Sequence, residues 1–230
     1  MIKPEYIFFD LDNTLYNYET AHSPAQSKLF EQLSRELDLP ISEIKNVFNQ
    51  ARSEVKNRLG TTASSHSRLL YLSELLKKFQ IANKLEVAVN LEQHYWRTFL
   101  MNAKLHSGVI EFLTTIRLHG TKVVLVTDLQ NSIQYRKLNW FGISPLFDLV
   151  VTSEEAGGDK SSGKPEAYLA ALLGIISPIG WCVGDMPWDH LFKESTKFFE
   201  FSHSSSDTAL GEFGGKFANF HHLTEIYNKL

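Results

Sequence analysis

The sequence predicts an α/β protein: a Rossmann-like parallel sheet with helices on both faces, plus an inserted all-α helical bundle. Three observations lead there. Short, uniformly apolar runs such as Tyr6-Ile7-Phe8-Phe9 and Val123-Val124-Leu125-Val126 read as strands buried on both faces, the pattern of parallel sheets. These runs are separated by helical stretches, which supply the crossovers that parallel neighbours need. Between residues 18 and 100 the texture is helix after helix, so that block stands apart from the sheet.

In chain order, the first strand covers residues 6–9 and ends at Asp10. Helices are expected over 25–37, 41–59, 67–79 and 85–100, each with apolar residues at three- and four-residue spacing. Ser42 and Gly60 mark the start and stop of the second of these. Beyond Leu105 come a helix over 109–118 stopped by Gly120, a strand over 121–126 that ends at Thr127-Asp128, and a helix over 132–141. A strand over 147–151, a helix over 165–173 opened by Pro165, and strands over 179–183, 197–201 and 216–220 complete the set. Because the first strand belongs with this later group, the helical block is an insertion. The expected division is a core of 1–17 and 104–230 and a helical cap of 18–103. Ser202 to Ser206 and Gly211 to Gly215 read as surface loops.

Composition excludes several functions. The 230 residues carry a net charge of −3, with 43% hydrophobic and 21% charged residues. Cations are scattered, so no footprint for nucleic acid or an anionic membrane is expected. No apolar run reaches bilayer length, and the start, Met1-Ile2-Lys3-Pro4-Glu5, lacks the pattern of a signal peptide. The single cysteine, Cys182, excludes an internal disulfide and argues for a reducing, cytoplasmic setting. It lies in an apolar run, where a buried, inert thiol is expected.

Polar residues that can do chemistry gather at strand ends. Asp10-Leu11-Asp12-Asn13-Thr14 follows the first strand, Thr127-Asp128 follows the next buried strand, and Gly184-Asp185-Met186-Pro187-Trp188-Asp189 follows Val183. Lys164-Pro165 precedes a helix. In open parallel sheets, ligands bind beyond these carboxyl ends. Asp10 and Asp12 can both aim into one crevice once the chain leaves the strand, and two carboxylates that close favour a divalent cation with oxygen ligands or a retained proton.

With these motifs the chain resembles phosphatases of the haloacid dehalogenase superfamily, with a helical cap inserted after the first strand; Gly108 to Leu113 also resembles the family's re-entry helix. The resemblance implies that Asp10 is a nucleophile forming an aspartyl-phosphate, and that Asp12 is a general acid and then base whose proton affinity is raised by Asp10 and the phosphate nearby. It further implies that Thr127 and the backbone N–H of Asp128 grip the phosphoryl group, and that Lys164 supplies positive charge. Lys160 is the reserve for that lysine, because the family's lysine follows soon after a stretch like Ser153-Glu154-Glu155-Ala156-Gly157. Mg2+ would be held by Asp10, Asp185 and the backbone carbonyl of Asp12, with Asp189 acting through water or by orienting Asp185. Thr14 and Asp128 are expected beside the substrate, with the Asp128 carboxylate turned outward. In the cap, His66 and Arg68 would read a polar or anionic leaving group. The implied substrate is a small phosphorylated metabolite, sugar phosphates ahead of nucleotides. The rivals are a phosphoryl-transferring mutase, a 2-haloacid dehalogenase and an idle binding protein with the same fold.

Overall fold

The structure, a computed structural model, describes residues 3–202 and 214–230. The chain divides into two compact units, Met1–Asn17 with Lys104–Leu230, and Tyr18–Ala103. The first is built on a six-stranded parallel sheet: β1 (Tyr6–Phe9), β2 (Lys122–Thr127), β3 (Leu149–Thr152), β4 (Gly180–Gly184), β5 (Thr196–Phe201) and β6 (Gly214–Phe217), in the order β3-β2-β1-β4-β5-β6. The order reverses direction between β1 and β4, the place where such sheets leave a crevice at the carboxyl ends of the strands. Register fixes which side chains arrive there together: Phe9 pairs with Leu125 on one side and Val183 on the other, so Asp10, the β2 end and the β4 end lie at one edge.

Apolar side chains hold this edge in place. Phe8, Val124, Val126, Val151, Leu169 and Cys182 form a buried cluster on the sheet. Phe9 meets Phe112 edge-on at 5.9 Å between ring centroids. Burial of each such aromatic contributes about 1.5–3 kcal/mol, so the strand leading to Asp10 is firmly seated. The Cys182 thiol is fully buried, and burial pushes its pKa up to about 12, so it stays an unreactive core group.

The helices of this unit are α5 (Val109–Leu118), α6 (Asn131–Phe141), the one-turn α7 (Ser153–Ala156), α8 (Lys164–Leu173) and α9 (Phe220–Asn228), following the four of the other unit. The last was not expected from the sequence. The strand expected over 216–220 instead occupies Gly214–Phe217, and Asn219 caps α9 by accepting from the N–H of His221 at 2.9 Å. Gly214 therefore lies in a strand and not a loop; a Cβ there would stand 2.3 Å from the Phe198 carbonyl oxygen. Gly215 lies in the same strand, and of the two expected loops residues 203–206 and 211–213 lie outside the described residues.

The second unit comprises α1 (Tyr18–Leu37), α2 (Ile41–Leu59), α3 (Arg68–Lys78) and α4 (Lys84–Asn102). Helix α1 begins at Tyr18 rather than Ala25 and runs through Pro24, at the cost of a backbone hydrogen bond. Ser67 caps α3 by accepting from Leu70 N at 3.3 Å. The core of this unit is aromatic, with Phe30 against Phe48 and Trp96 against Phe99, both at 5.2 Å. Among the described residues, no helix is long and apolar enough to cross a membrane.

Candidate active site

The turn after β1 explains how two carboxylates reach the crevice. Asp10 N donates to Val183 O at 2.9 Å, extending the ladder by one residue, and the chain then leaves the sheet. Asn13 takes a left-handed φ of 66°, a conformation asparagine tolerates better than most residues. Leu11 is buried in the turn, and the Thr14 hydroxyl donates to Asp10 Oδ2 at 2.9 Å. Thr14 thus orients the Asp10 carboxylate.

Asp10 stands in a ring of charge. Lys160 Nζ is 2.5 Å from Asp10 Oδ1 and 2.5 Å from Asp189 Oδ1. Carboxylate oxygens of Asp10, Asp185 and Asp189 lie within 4.8 Å of one another. Burial raises the proton affinity of Asp10 and the charges of Asp189 and Asp185 raise it further, against the opposing pull of Lys160. Asp185 is pushed up to about 6, by burial and by Asp189. Lys160 keeps its proton, because attraction to Asp10, Asp189 and Asp128 outweighs the penalty of burial. One lysine shared among three acids leaves negative charge uncompensated, and the donors are all carboxylate oxygens of the kind that hard divalent cations take.

Close approach in the β4 turn completes the ring. A Cβ on Gly184 would lie 2.3 Å from Asp189 Cβ, so only glycine lets Asp189 fold back against the strand end. Asp189 Oδ2 accepts from Met186 N at 2.9 Å, which fixes its orientation. These acids, with Asp12, Thr127 and Lys160, line a cavity of about 220 Å³. That is smaller than the ~300–1,000 Å³ of pockets that enclose a whole organic ligand.

Asp12 faces a different environment. Lys137 Nζ donates to both of its oxygens, at 2.7 and 2.8 Å, the Tyr16 hydroxyl donates to Oδ1, and Gln134 Nε2 lies 3.3 Å from Oδ2. Burial pushes Asp12 up, but the charge and hydrogen bond of Lys137, with those of Tyr16 and Gln134, hold it below the usual carboxylate range. The expected rise in its proton affinity is therefore corrected: the nearest strong charge is a lysine, not Asp10.

Two further expectations are placed differently, and Thr127 lies where expected, beside Asp12 and Lys160 in the cavity lining. Lys164 is exposed, and its Nζ donates to the Gly157 carbonyl at 2.8 Å. Lys160 occupies the crevice in its stead, because the helix α7, Gly157 in a left-handed conformation and a single 3₁₀ turn bring it inward before α8 begins. The Asp128 carboxylate does not turn away; its Oδ1 accepts from Lys160 N at 2.8 Å and so anchors the lysine's turn. Thr127 is buried at the end of β2 with its Oγ1 accepting from Gln134 Nε2 at 2.7 Å.

In the helical unit, Arg68 Nη1 donates to the His66 carbonyl at 3.1 Å and Nη2 to the Tyr18 hydroxyl. Its guanidinium lies 5.3 Å from the Tyr95 ring centroid and 5.7 Å from that of Trp96. Half-buried His66 ends a 3₁₀ turn just before α3.

Sequence reading passed over Gln134 and Lys137, both fully buried on α6. A signal was present: they stand three apart with Ile133 and Leu138 on the buried face of one helix, where a lysine has no reason to be unless an acid meets it.

The family model for haloacid dehalogenase-like hydrolases matches residues 7–192. The chain belongs to this family. The hydrolase is 33% identical to the ribulose-1,5-bisphosphate 5-phosphatase of Halopiger xanaduensis, over 78% of this chain and 75% of that protein. It is 29% identical to the glyceraldehyde 3-phosphate phosphatase of Methanocaldococcus jannaschii, over the same shares of 78% and 75%. Among solved structures, the magnesium-bound HAD-hydrolase YfnB of Bacillus subtilis shares the fold, with a TM-score of 0.68 at 18% identity, covering 99% of this chain and 100% of that one.

Proposed function

We propose that this hydrolase is a magnesium-dependent phosphatase of small phosphorylated metabolites, sugar phosphates ahead of nucleotides, working through an aspartyl-phosphate on Asp10. The observation that carries the reading is the set of buried Asp10, Lys160 and Asp189 with half-buried Asp185 around a cavity sized for a phosphoryl group. Two relatives named for sugar phosphate substrates support the substrate class.

Asp10 Oδ attacks phosphorus in line with the leaving oxygen, and the P–O bond to that oxygen breaks as the leaving oxygen takes a proton from Asp12. Water then attacks the aspartyl-phosphate, giving its proton to Asp12 and releasing phosphate and a free Asp10. The proton that Asp12 gives up in the first step returns to it from water in the second, so the two steps balance. Thr14 aims the nucleophile. Lys160 lowers the repulsion between Asp10 and the phosphate anion, and Thr127 with the Asp128 backbone holds the transferring group. Asp10, Asp185 and the Asp12 carbonyl would hold magnesium, with Asp189 fixing Asp185 or acting through water; when bound, the ion neutralises phosphate charge. Dehalogenation, which needs neither an acid for the leaving group nor a metal, leaves Asp12 and Asp185 without a task.

The inserted helical unit is read as the cap, with His66 and Arg68 selecting the leaving group. Arg68 has no carboxylate partner among its bonded groups, the His66 carbonyl and the Tyr18 hydroxyl, so its charge is not neutralised by an acid there. Arg68→Ala is expected to raise KM for the natural substrate about tenfold and leave p-nitrophenyl phosphate unaffected; equal effects on both would remove Arg68 from recognition. The single buried cysteine supports a cytoplasmic setting.

A screen of phosphorylated metabolites, with and without magnesium and beside Asp10→Asn, tests the whole reading. Metal-dependent phosphate release lost in the variant is expected. Release that survives in Asp10→Asn would exclude the nucleophile, and no release from any phosphomonoester would exclude the function.

A further inference from the structure

We infer that Lys137 is a positioning residue that, with Gln134, fixes the acid/base carboxylate of Asp12 relative to the phosphate-gripping hydroxyl of Thr127. The inference rests on the phosphatase reading and concerns groups that the nucleophile, metal cluster and Lys160 do not use. Both residues project from the buried face of α6, one turn apart. Lys137 reaches both oxygens of Asp12, at 2.7 and 2.8 Å, which fixes the plane of the carboxylate as well as its place. Gln134 Nε2 reaches Thr127 Oγ1 at 2.7 Å and the Asp128 carbonyl at 2.6 Å, with Asp12 Oδ2 at 3.3 Å. One rigid helix therefore ties the end of β2 to the turn after β1, where the resemblance supplies only isolated motif residues.

The siting explains why a buried lysine is tolerated. An isolated ammonium ion in the core is prohibitive, and Lys137 has its partner in Asp12, with the Tyr16 ring 5.9 Å from its Nζ. Asp12 itself remains partly exposed toward the cavity, so the pair is anchored from behind and open in front.

Such a role has a kinetic signature. An alkyl phosphate needs a proton placed on its leaving oxygen in the first step, whereas p-nitrophenolate leaves without one. Both substrates share the second step, in which Asp12 must receive the proton from water. If Lys137 aligns Asp12, then Lys137→Met in the presence of magnesium gives opposite first turnovers. With p-nitrophenyl phosphate, the first turnover stays within about threefold of the native enzyme and appears as a burst, followed by a steady state slowed about 30-fold. With 2-glycerophosphate no burst is seen, because the first turnover is itself slowed about 30-fold, and its KM changes less than threefold; for p-nitrophenyl phosphate KM falls together with kcat, because kcat/KM reports the unchanged first step.

Should Lys137→Met fail to fold, Tyr16→Phe removes one donor to Asp12 without stranding a charge, and the same signature is expected at about fivefold. Equal slowing of both first turnovers, or native kinetics in both variants, would overturn the positioning role while leaving the phosphatase reading intact. A native enzyme that releases phosphate from neither substrate nor any other phosphomonoester would overturn that reading, and the role of Lys137 with it.

Discussion

Asp10 and Asp12 are two residues apart on one turn, yet their surroundings push their proton affinities in opposite directions. Asp10 sits with two other acids and shares one lysine with them, so burial and like charge drive it upward. Asp12 has a lysine to itself and two further donors, so it is held down. The difference teaches that chemical role follows from what each neighbouring element contributes, and not from the pair of acids as such. The β4 turn and the 3₁₀ turn at Lys160 make one side of the crevice a place for a cation; α6 makes the other side a place for proton transfer.

Neutralising each acid in turn gives the largest test of this contrast. Asp10→Asn is expected to lower kcat by ~10⁴-fold or more while leaving the melting temperature unchanged or raised, since it relieves repulsion in the acid cluster. Asp12→Asn is expected to cost ~10²–10⁴-fold in kcat and to destabilise the fold by about 3 kcal/mol, because Lys137 loses its counter-charge in the interior. Opposite signs of the change in melting temperature, read by calorimetry, are the diagnostic. The same sign in both would erase the distinction.

Exchanging the two candidate lysines sharpens the assignment on the Asp10 side. Lys160→Met should reduce kcat by ~10²–10³-fold, the scale of losing one charged group aimed at the transferring phosphoryl. Lys164→Met, at an exposed side chain bonded to a loop carbonyl, should stay within about twofold of the native rate. Steady-state kinetics on one substrate separates the two.

A smaller effect links the acid cluster to pH. The affinities of Asp10 and Asp185 are raised on folding, so between the unfolded value of about 3.9 and the folded value of about 6 for Asp185, the native state binds more protons than the unfolded chain. The contribution of these groups is thus most favourable below that window and is lost as pH rises through it. Magnesium, which binds the ionised carboxylates, should restore it: the gain in melting temperature on adding magnesium should be a few degrees at about pH 7.5 and smaller at about pH 5. A gain equal at both pH values would mean that the ion does not bind these acids.

Much of this arrangement was legible in the chain itself. The uniformly apolar strands announced a parallel sheet, and polar residues at their carboxyl ends announced the crevice, because both follow from local periodicity. Helices α2 and α5 have the expected bounds. What stayed hidden depended on long-range packing. Lys160 and Lys164 are equally plausible by composition, and only the path of the chain through Gly157 and the turn at Lys160 decides between them. The pairing of Lys137 with Asp12 joins residues 125 apart, and no periodicity on α6 names the acid it will meet. Helix α9 was missed because its polar residues, His221, His222 and Thr224, masked the apolar face formed by Phe220, Leu223 and Tyr227.

The central claim is that Asp10 bonds covalently to phosphorus while the acids around it hold a cation. Rapid acid quench of the enzyme turning over a ³²P-labelled sugar phosphate with magnesium, followed by peptide mapping, tests it directly. The account predicts hydroxylamine-labile label confined to Asp10 and absent from Asp10→Asn. Label on another residue, or native turnover by Asp10→Asn, would contradict it.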